Sequence, residues 1–353
     1  MDNNALNIEK TALCGLKASE IAALLPNESA YRARQIADFL RAGVSTFNEM
    51  TSLPLELRSK LEDSFLARST FVEQVFDGKD GTKKAQIRLI DGLFIEAVLL
   101  GDGAGRATAC ISTQAGCAMG CVFCKTGSLG FKRNLGASEI VEQFYHLSSL
   151  CLSSLCRDKY PVKISNIVIM GMGEPLLNLD ELRKALLILG DSFSMRRVTI
   201  STCGITGGIR SLAENGPAAR LAVSINSCEQ ELRDKLMPGC AVMPLGILKK
   251  ELLYYQSVYG QRITLETVLF AGLNTGKTAA DALAEFAEGL SVLVNLIPWN
   301  QTSGFCLDAR PLVTPDSKET LNFKTMLEKR GIKTYIRRKK GSDVSGACGQ
   351  LGV

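Results

Sequence analysis

The stretch on which the fold turns is Cys110-Ile-Ser-Thr-Gln-Ala-Gly116-Cys117-Ala-Met-Gly120-Cys121-Val-Phe-Cys124-Lys-Thr-Gly127. Residues 107–113 (ATACIST) read as a strand. The loop after them carries three thiols at C-x3-C-x2-C, among glycines that let the backbone curl around a bound object. Three thiolates are one ligand short of a closed tetrahedral zinc site. They also leave one iron of a 4Fe-4S cluster without a protein ligand, and an open iron binds small molecules. Such a loop at a strand end points to chemistry more than to scaffolding.

Downstream, short β-rich runs alternate with longer helical ones. The strand candidates are 107–113, 164–170, 197–202, 220–226, 262–269 and 291–297, with a last strand near 333–337. Helix candidates lie near 137–150, 179–189, 207–214, 229–236, 245–257, 279–289 and 317–330. Apolar strands separated by helices mean βαβ units around a parallel sheet. Periodicity does not choose between an open sheet and a partial barrel, but either gathers ligands at the strand C-terminal ends. Upstream, residues 16–66 read as short helices, with Leu16, Ile21 and Leu24, then Ile36, Phe39 and Leu40, at helical spacing. Ile87, Leu89 and the run 94–98 read as a hairpin closed by a two-residue turn at Asp91-Gly92. The glycine-dense loop 101–105 is the boundary candidate, dividing an N-terminal unit (1–100) from a core (101–353).

The composition narrows the class. In 353 residues, 46% are hydrophobic and 22% charged, as in an ordinary globular protein. Lys plus Arg exceed Asp plus Glu by 41 − 36 = 5, a mildly basic balance that permits nucleic acid without establishing it. The first ten residues carry two acids and no apolar core, so no signal peptide is expected. No apolar run approaches the ~20 residues of a membrane helix. The chain is read as cytoplasmic, where the 12 cysteines favour catalysis or metal binding over disulfides. Cys14, Cys151, Cys156, Cys203, Cys228, Cys240 and Cys306 stand singly and read as small buried apolar residues. The one histidine, His146, reads as packing or surface, so His-based triads are nearly excluded.

A second motif closes the second core strand: Ile169-Met170-Gly171-Met172-Gly173-Glu174-Pro175-Leu176-Leu177-Asn178. A glycine turn ending in Glu-Pro presents backbone carbonyls and a carboxylate, both suited to an ammonium group. With the cysteine loop, it makes the chain resemble the radical S-adenosylmethionine (SAM) superfamily. The resemblance narrows to the RlmN/Cfr-type RNA adenine methyltransferases on motifs along nearly the whole chain. These are 31–36 (YRARQI), 47–54 (FNEMTSLP), 80–84 (DGTKK), 95–98 (IEAV), 130–135 (GFKRNL), 295–300 (NLIPWN) and 346–351 (GACGQL). The sequences GMGEPLLN and IPWN resemble members acting at adenine C2, with the C8-acting relatives as the alternative. A metal-stabilised RNA-binding module without turnover is the reading from another class. Three places depart from the family: Asn226 stands for its usual histidine, 237–240 (MPGC) replaces its usual stretch, and Cys203 is atypical.

The resemblance implies an α/β fold, a partial (β/α)6 radical SAM barrel with a small N-terminal helical-plus-hairpin accessory domain. It implies a 4Fe-4S cluster on Cys117, Cys121 and Cys124, with S-adenosylmethionine bound through Gly173, Glu174, Ser201, Ser224, Ile225, Asn226 and Asn300. Two SAM molecules would serve each turnover, one methylating Cys348 and the other yielding a radical that abstracts hydrogen from it. The carbon would then add to the base, Glu96 would accept a proton, and Cys110 would release the adduct by forming a disulfide with Cys348. The substrates implied are 23S rRNA and tRNA. The electron donor would be a flavodoxin or ferredoxin, and the chain is taken as a monomer. Lys125, Lys132 and Arg133, and the run Arg337-Arg338-Lys339-Lys340, are candidate phosphate contacts, with a solvated charge run as the bland alternative.

Overall fold

The computed structural model describes residues 10–153, 163–191, 193–301 and 304–352. Residues 1–9, read above for a leader, and Cys156 lie outside the described residues. Three helices come first, α1 (Ala18–Leu24), α2 (Ala30–Arg41) and α3 (Leu55–Ser64). Each buries one stripe at helical spacing: Ile21 in α1, Ala33, Ile36, Ala37 and Leu40 in α2, Leu57 and Leu61 in α3.

An antiparallel meander follows, of β1 (Thr70–Asp77), β2 (Lys83–Leu89) and β3 (Phe94–Gly101). The expected hairpin at Asp91-Gly92 is present, but its loop has three residues, 90–92. The Leu89 amide donates to the Leu93 carbonyl at 2.8 Å and the Gly92 amide to the Leu89 carbonyl at 3.0 Å. Gly92 sits at φ 83°, the left-handed position that a three-residue hairpin loop requires and that the two-residue reading overlooked. The 101–105 glycine loop then turns β3 into its antiparallel neighbour β4 (Arg106–Ile111). The sheet runs unbroken across the division expected at residue 100.

From β4 onward every pairing within this sheet is parallel, through β5 (Lys163–Ile169), β6 (Val198–Thr202), β7 (Arg220–Ser224), β8 (Ile263–Leu269), β9 (Val292–Pro298) and β10 (Thr334–Ile336). The crossovers carry α4 (Ala137–Ser153), α5 (Leu179–Leu189), α6 (Thr206–Asn215), α7 (Gln230–Leu236) and α8 (Leu245–Tyr259), α9 (Lys277–Ala287), and α10 (Ser317–Glu328). These limits fall within a few residues of the sequence expectation, because apolar spacing and capping fix both ends. The Asp316 side chain, for example, accepts from the Glu319 amide at 2.7 Å and starts α10.

Spatial order in the ten-stranded sheet is the order in the chain, β1 through β10 without reversal. A doubly wound sheet reverses at a switch point. Here each right-handed crossover steps the same way, which puts the helices on one face and curls the sheet around the other. That decides for the partial barrel. The loops after β4 to β9 gather at one rim, over a smaller apolar cluster of Met119, Phe123, Leu236, Met237, Phe270 and Trp299.

Candidate active site

The loop after β4 is held from outside by main chain. The Val122 amide donates to the Leu236 carbonyl at 3.0 Å and the Gly239 amide to the Met119 carbonyl at 2.9 Å. The Trp299 indole donates to the Phe123 carbonyl at 3.1 Å. Cys117, Cys121 and Cys124 thereby border one cavity at the barrel rim. Burial pushes the Cys117 thiol up to about 12 and is the largest cause raising Cys121 and Cys124 as well. Thiolates there need a cationic occupant to offset desolvation. Among the described residues, no three His, Cys, Asp or Glu side chains converge as ligands of a single ion would. Thiols spread around a cavity instead suit a cluster whose irons each take one of them.

Gly173, Glu174, Ser201, Ser224, Asn226 and Asn300 border the same cavity. Gly173 is at φ 99°, and a Cβ there would lie 2.5 Å from that of Gln114, so only glycine lets this turn approach the cysteine loop. The Glu174 carboxylate is buried and faces inward. Oε1 accepts from the Thr202 hydroxyl (2.6 Å) and the Leu176 amide (3.0 Å), and Oε2 from the Cys203 amide (2.8 Å). Burial raises its pKa against these hydrogen bonds. Asn226 takes left-handed backbone at φ 55°; its Oδ1 accepts from the Val268 amide at 2.9 Å and its Nδ2 points to Met237 Sδ at 2.9 Å. It holds the ends of β7 and β8 together beside the cavity. Ile225 is set apart from the others: its side chain is fully buried in the main core and away from the cavity wall.

Sequence reasoning missed Glu266. It is buried in β8, borders the cavity, accepts from the Ser201 hydroxyl at 2.9 Å and lies 3.5 Å from Arg337. A glutamate inside the apolar run 263–269 was the available signal, since unpaired carboxylates are rarely buried. Arg337 was read with its neighbours as a charge run, yet it turns inward. Its pKa is pushed up first by Cys348, then by Glu266 and Cys110, against burial.

Cys348 borders the cysteine-lined cavity and a second cavity that holds Cys110, Arg337 and Arg338. Its loop is tied down by the Asn300 amide group donating to the Cys348 carbonyl (3.0 Å), the Lys125 amide to the Gly349 carbonyl (2.8 Å) and the Thr126 hydroxyl to the Leu351 carbonyl (2.5 Å). Burial, then the neighbouring Cys348, pushes the Cys110 thiol up to about 12. Both thiols are free. Glu96 is buried rather than solvent-facing, but it borders neither cavity. It pairs with Lys84 at 2.7 Å and accepts from the Gly352 amide at 2.7 Å, behind the chain's tail. Among the basic candidates, Arg133 is engaged by Asp91 (2.5 Å) and Glu139 (2.8 Å). Lys339 and Lys340 reach the carbonyls of Trp299 and Gly101, whereas Lys132 and Arg338 are exposed.

Residues 111–242 match the Radical SAM superfamily. The chain is 46% identical over 347 residues to the probable dual-specificity RNA methyltransferase RlmN of Treponema denticola, covering 97% of this chain and 96% of that one. It is 42% identical to the dual-specificity RNA methyltransferase RlmN of Lawsonia intracellularis, covering 92% and 90%. Among solved structures, a radical SAM methyltransferase from Sphaerobacter thermophilus superposes with a TM-score of 0.90 at 36% identity, covering 97% and 99%. Fold, cysteine-lined cavity and full-length similarity agree, and the chain belongs to the RlmN-type dual-specificity RNA methyltransferases of the radical SAM superfamily.

Proposed function

We propose that this chain methylates the C2 carbon of an adenine in 23S ribosomal RNA and in transfer RNA, carrying the new carbon on Cys348. The observation that supports this reading most directly is the position of Cys348 on the walls of both cavities. An enzyme that loads a carbon on sulfur at one place and detaches it with a second thiol needs one residue open to both. Cys117, Cys121 and Cys124 are the residues to hold a 4Fe-4S cluster. Gly173, Glu174, Ser201, Ser224, Asn226 and Asn300, with the backbone at Ile225, would bind S-adenosylmethionine. Bound together, these groups supply one-electron cleavage of the sulfonium, driven by a flavodoxin- or ferredoxin-type donor.

Cys348 must act first as a thiolate nucleophile, and it shares the second cavity with the Arg337 guanidinium, which Glu266 braces. After the carbon bridges Cys348 and the base, Cys110 attacks the Cys348 sulfur. A sulfur–sulfur bond forms, the sulfur–carbon bond breaks, and its electron pair stays with the base, which takes up a proton. Glu96 is the proton acceptor the resemblance suggests. It reaches the base only if the tail at Gly352 moves off it, as docking of RNA against Arg338 and Lys132 would require. A flipped-out adenine would enter through the second cavity.

The test is mass spectrometry of nucleosides from RNA treated with the reconstituted enzyme. It should yield 2-methyladenosine; 8-methyladenosine would favour the sister activity, and no methylated base with no cofactor cleavage would sink the assignment. Among the described residues, no helix is long and apolar enough to cross a membrane.

A further inference from the structure

Two cysteines that read singly in the sequence meet behind the cluster loop. Cys203 directly follows β6 and Cys240 closes the turn Pro238–Cys240 after α7. The Cys240 thiol points to the Cys203 carbonyl at 3.7 Å. Met119 Sδ lies 3.2 Å from Cys203 Sγ and 4.0 Å from Cys240 Sγ, and all three residues are buried. Three side-chain sulfurs thus converge on one small volume. Thiolate and thioether donors select soft d10 cations. Planar coordination at ~2.3 Å per metal–sulfur bond places the sulfurs ~4.0 Å apart, beside the 3.2 and 4.0 Å that Met119 Sδ keeps from the two thiols.

Charge points the same way. Arg233 is fully buried; its Nη2 donates to the Cys203 carbonyl at 2.7 Å, its Nη1 to the Cys240 carbonyl at 3.4 Å, and its Nε has no partner. Those acceptors are neutral, and a buried guanidinium is costly without a nearby anion. Two thiolates around a monovalent cation carry one net negative charge, which Arg233 offsets. Cys203 also borders the main cavity, which gives an ion a route in.

We propose that Met119, Cys203 and Cys240 bind one copper(I) ion beside the Cys117, Cys121 and Cys124 set and separate from it. On binding, both thiols release their protons to solvent, and no oxidation state changes. The test uses cluster-loaded protein under anaerobic conditions, titrated with copper(I) from its bicinchoninate complex. One copper per chain should be retained with all the iron still bound, and X-ray absorption at the copper edge should show three sulfurs. Cys203→Ser with Cys240→Ser should weaken retention on the order of a hundredfold, as lost ligands do. Should that pair fail to fold, Met119→Leu, close in volume, should reduce the sulfur shell from three to two. Equal retention by the double variant, or copper uptake matched by loss of iron, overturns the site.

Discussion

The rim of the barrel and the seam between its N-terminal helices and α4 use buried polar groups in opposite ways. At the rim, Cys117, Cys121, Cys124, Ser224 and Cys348 line open space, and the main chain holds the loops that carry them. At the seam, the groups close on each other. The Glu142 carboxylate accepts from the Ser69 amide (2.9 Å) and the Thr70 hydroxyl (2.6 Å), and Thr70 Oγ1 lies 2.9 Å from His146 Nε2. Arg68 donates to the Val44 and Leu40 carbonyls at 3.0 Å each and stacks over Tyr145. Polar groups that face a cavity are available for ligands, whereas groups that satisfy one another fix two segments in place. Substitutions at the rim should therefore change chemistry, and those at the seam should change stability.

The largest effect belongs to the thiols. Replacing Cys117, Cys121 or Cys124 by alanine should abolish iron retention and reductive SAM cleavage, with the melting temperature of the metal-free protein little changed; iron analysis and 5′-deoxyadenosine assays check both. A triple-alanine variant that still cleaved SAM would falsify the cluster assignment. Next comes Cys110→Ala, which should leave cofactor cleavage intact and stall the chain as a covalent adduct with RNA. A retarded band that ribonuclease collapses should appear on denaturing gels, and adding Cys348→Ala should remove it. Normal turnover by Cys110→Ala would mean the residue only packs.

How much of this contrast was legible depended on sequence separation. The core strands and helices were readable because alternation and helical spacing are local, and the cysteine loop because its ligands lie within eight residues. The hairpin loop was misjudged by one residue, a matter of turn geometry that Asp91-Gly92 alone does not specify. What stayed hidden were meetings made by topology. Lys84, Glu96 and Gly352 come together from opposite ends of the chain, and Arg337, just past β10, reaches Glu266 in β8 across the intervening β9. Cys203 and Cys240 looked like isolated core residues because nothing local announces a partner 37 positions away. His146 was read as packing or surface; its hydrogen bond to Thr70 depends on where β1 docks against α4.

A smaller effect is expected where rim and core touch. A Cβ on Gly239 would lie 2.6 Å from Met119 Cα and 2.8 Å from its carbonyl oxygen, both backbone atoms. Gly239→Ala should therefore push the cluster loop outward and cost about 1–3 kcal/mol, as overpacking does. Denaturant unfolding measures the loss, and slower cluster reconstitution should accompany it. Unchanged stability would show that the 237–240 stretch yields freely and does not brace the loop.

The smallest effect, and the cleanest separation of seam from rim, is in the pH dependence of stability. Burial raises Glu142 from 4.5 to about 7, while burial and then Arg68 lower His146 from 6.5 to about 4. The folded state thus favours protonated Glu142 and neutral His146. For Glu142, the contribution is fully present below pH 4.5 and is lost as pH rises through 7. For His146, it is present above pH 6.5 and is lost as pH falls through 4. The two act in opposite directions between those limits, so wild-type protein alone should show a shallow profile there. Single variants resolve it. The stability of wild type relative to Glu142→Gln should fall between pH 4.5 and 7, and relative to His146→Gln it should fall between pH 6.5 and 4. With Glu142 ionised, the Thr70 hydroxyl donates to it and holds its pKa down against burial, so Thr70→Val should raise it further and steepen the Glu142 dependence. Melting temperatures across pH 4–8 read all three, with SAM cleavage at pH 7 nearly unchanged in folded protein. Parallel profiles for wild type and both single variants would mean that the seam does not titrate, and that its network serves only as packing.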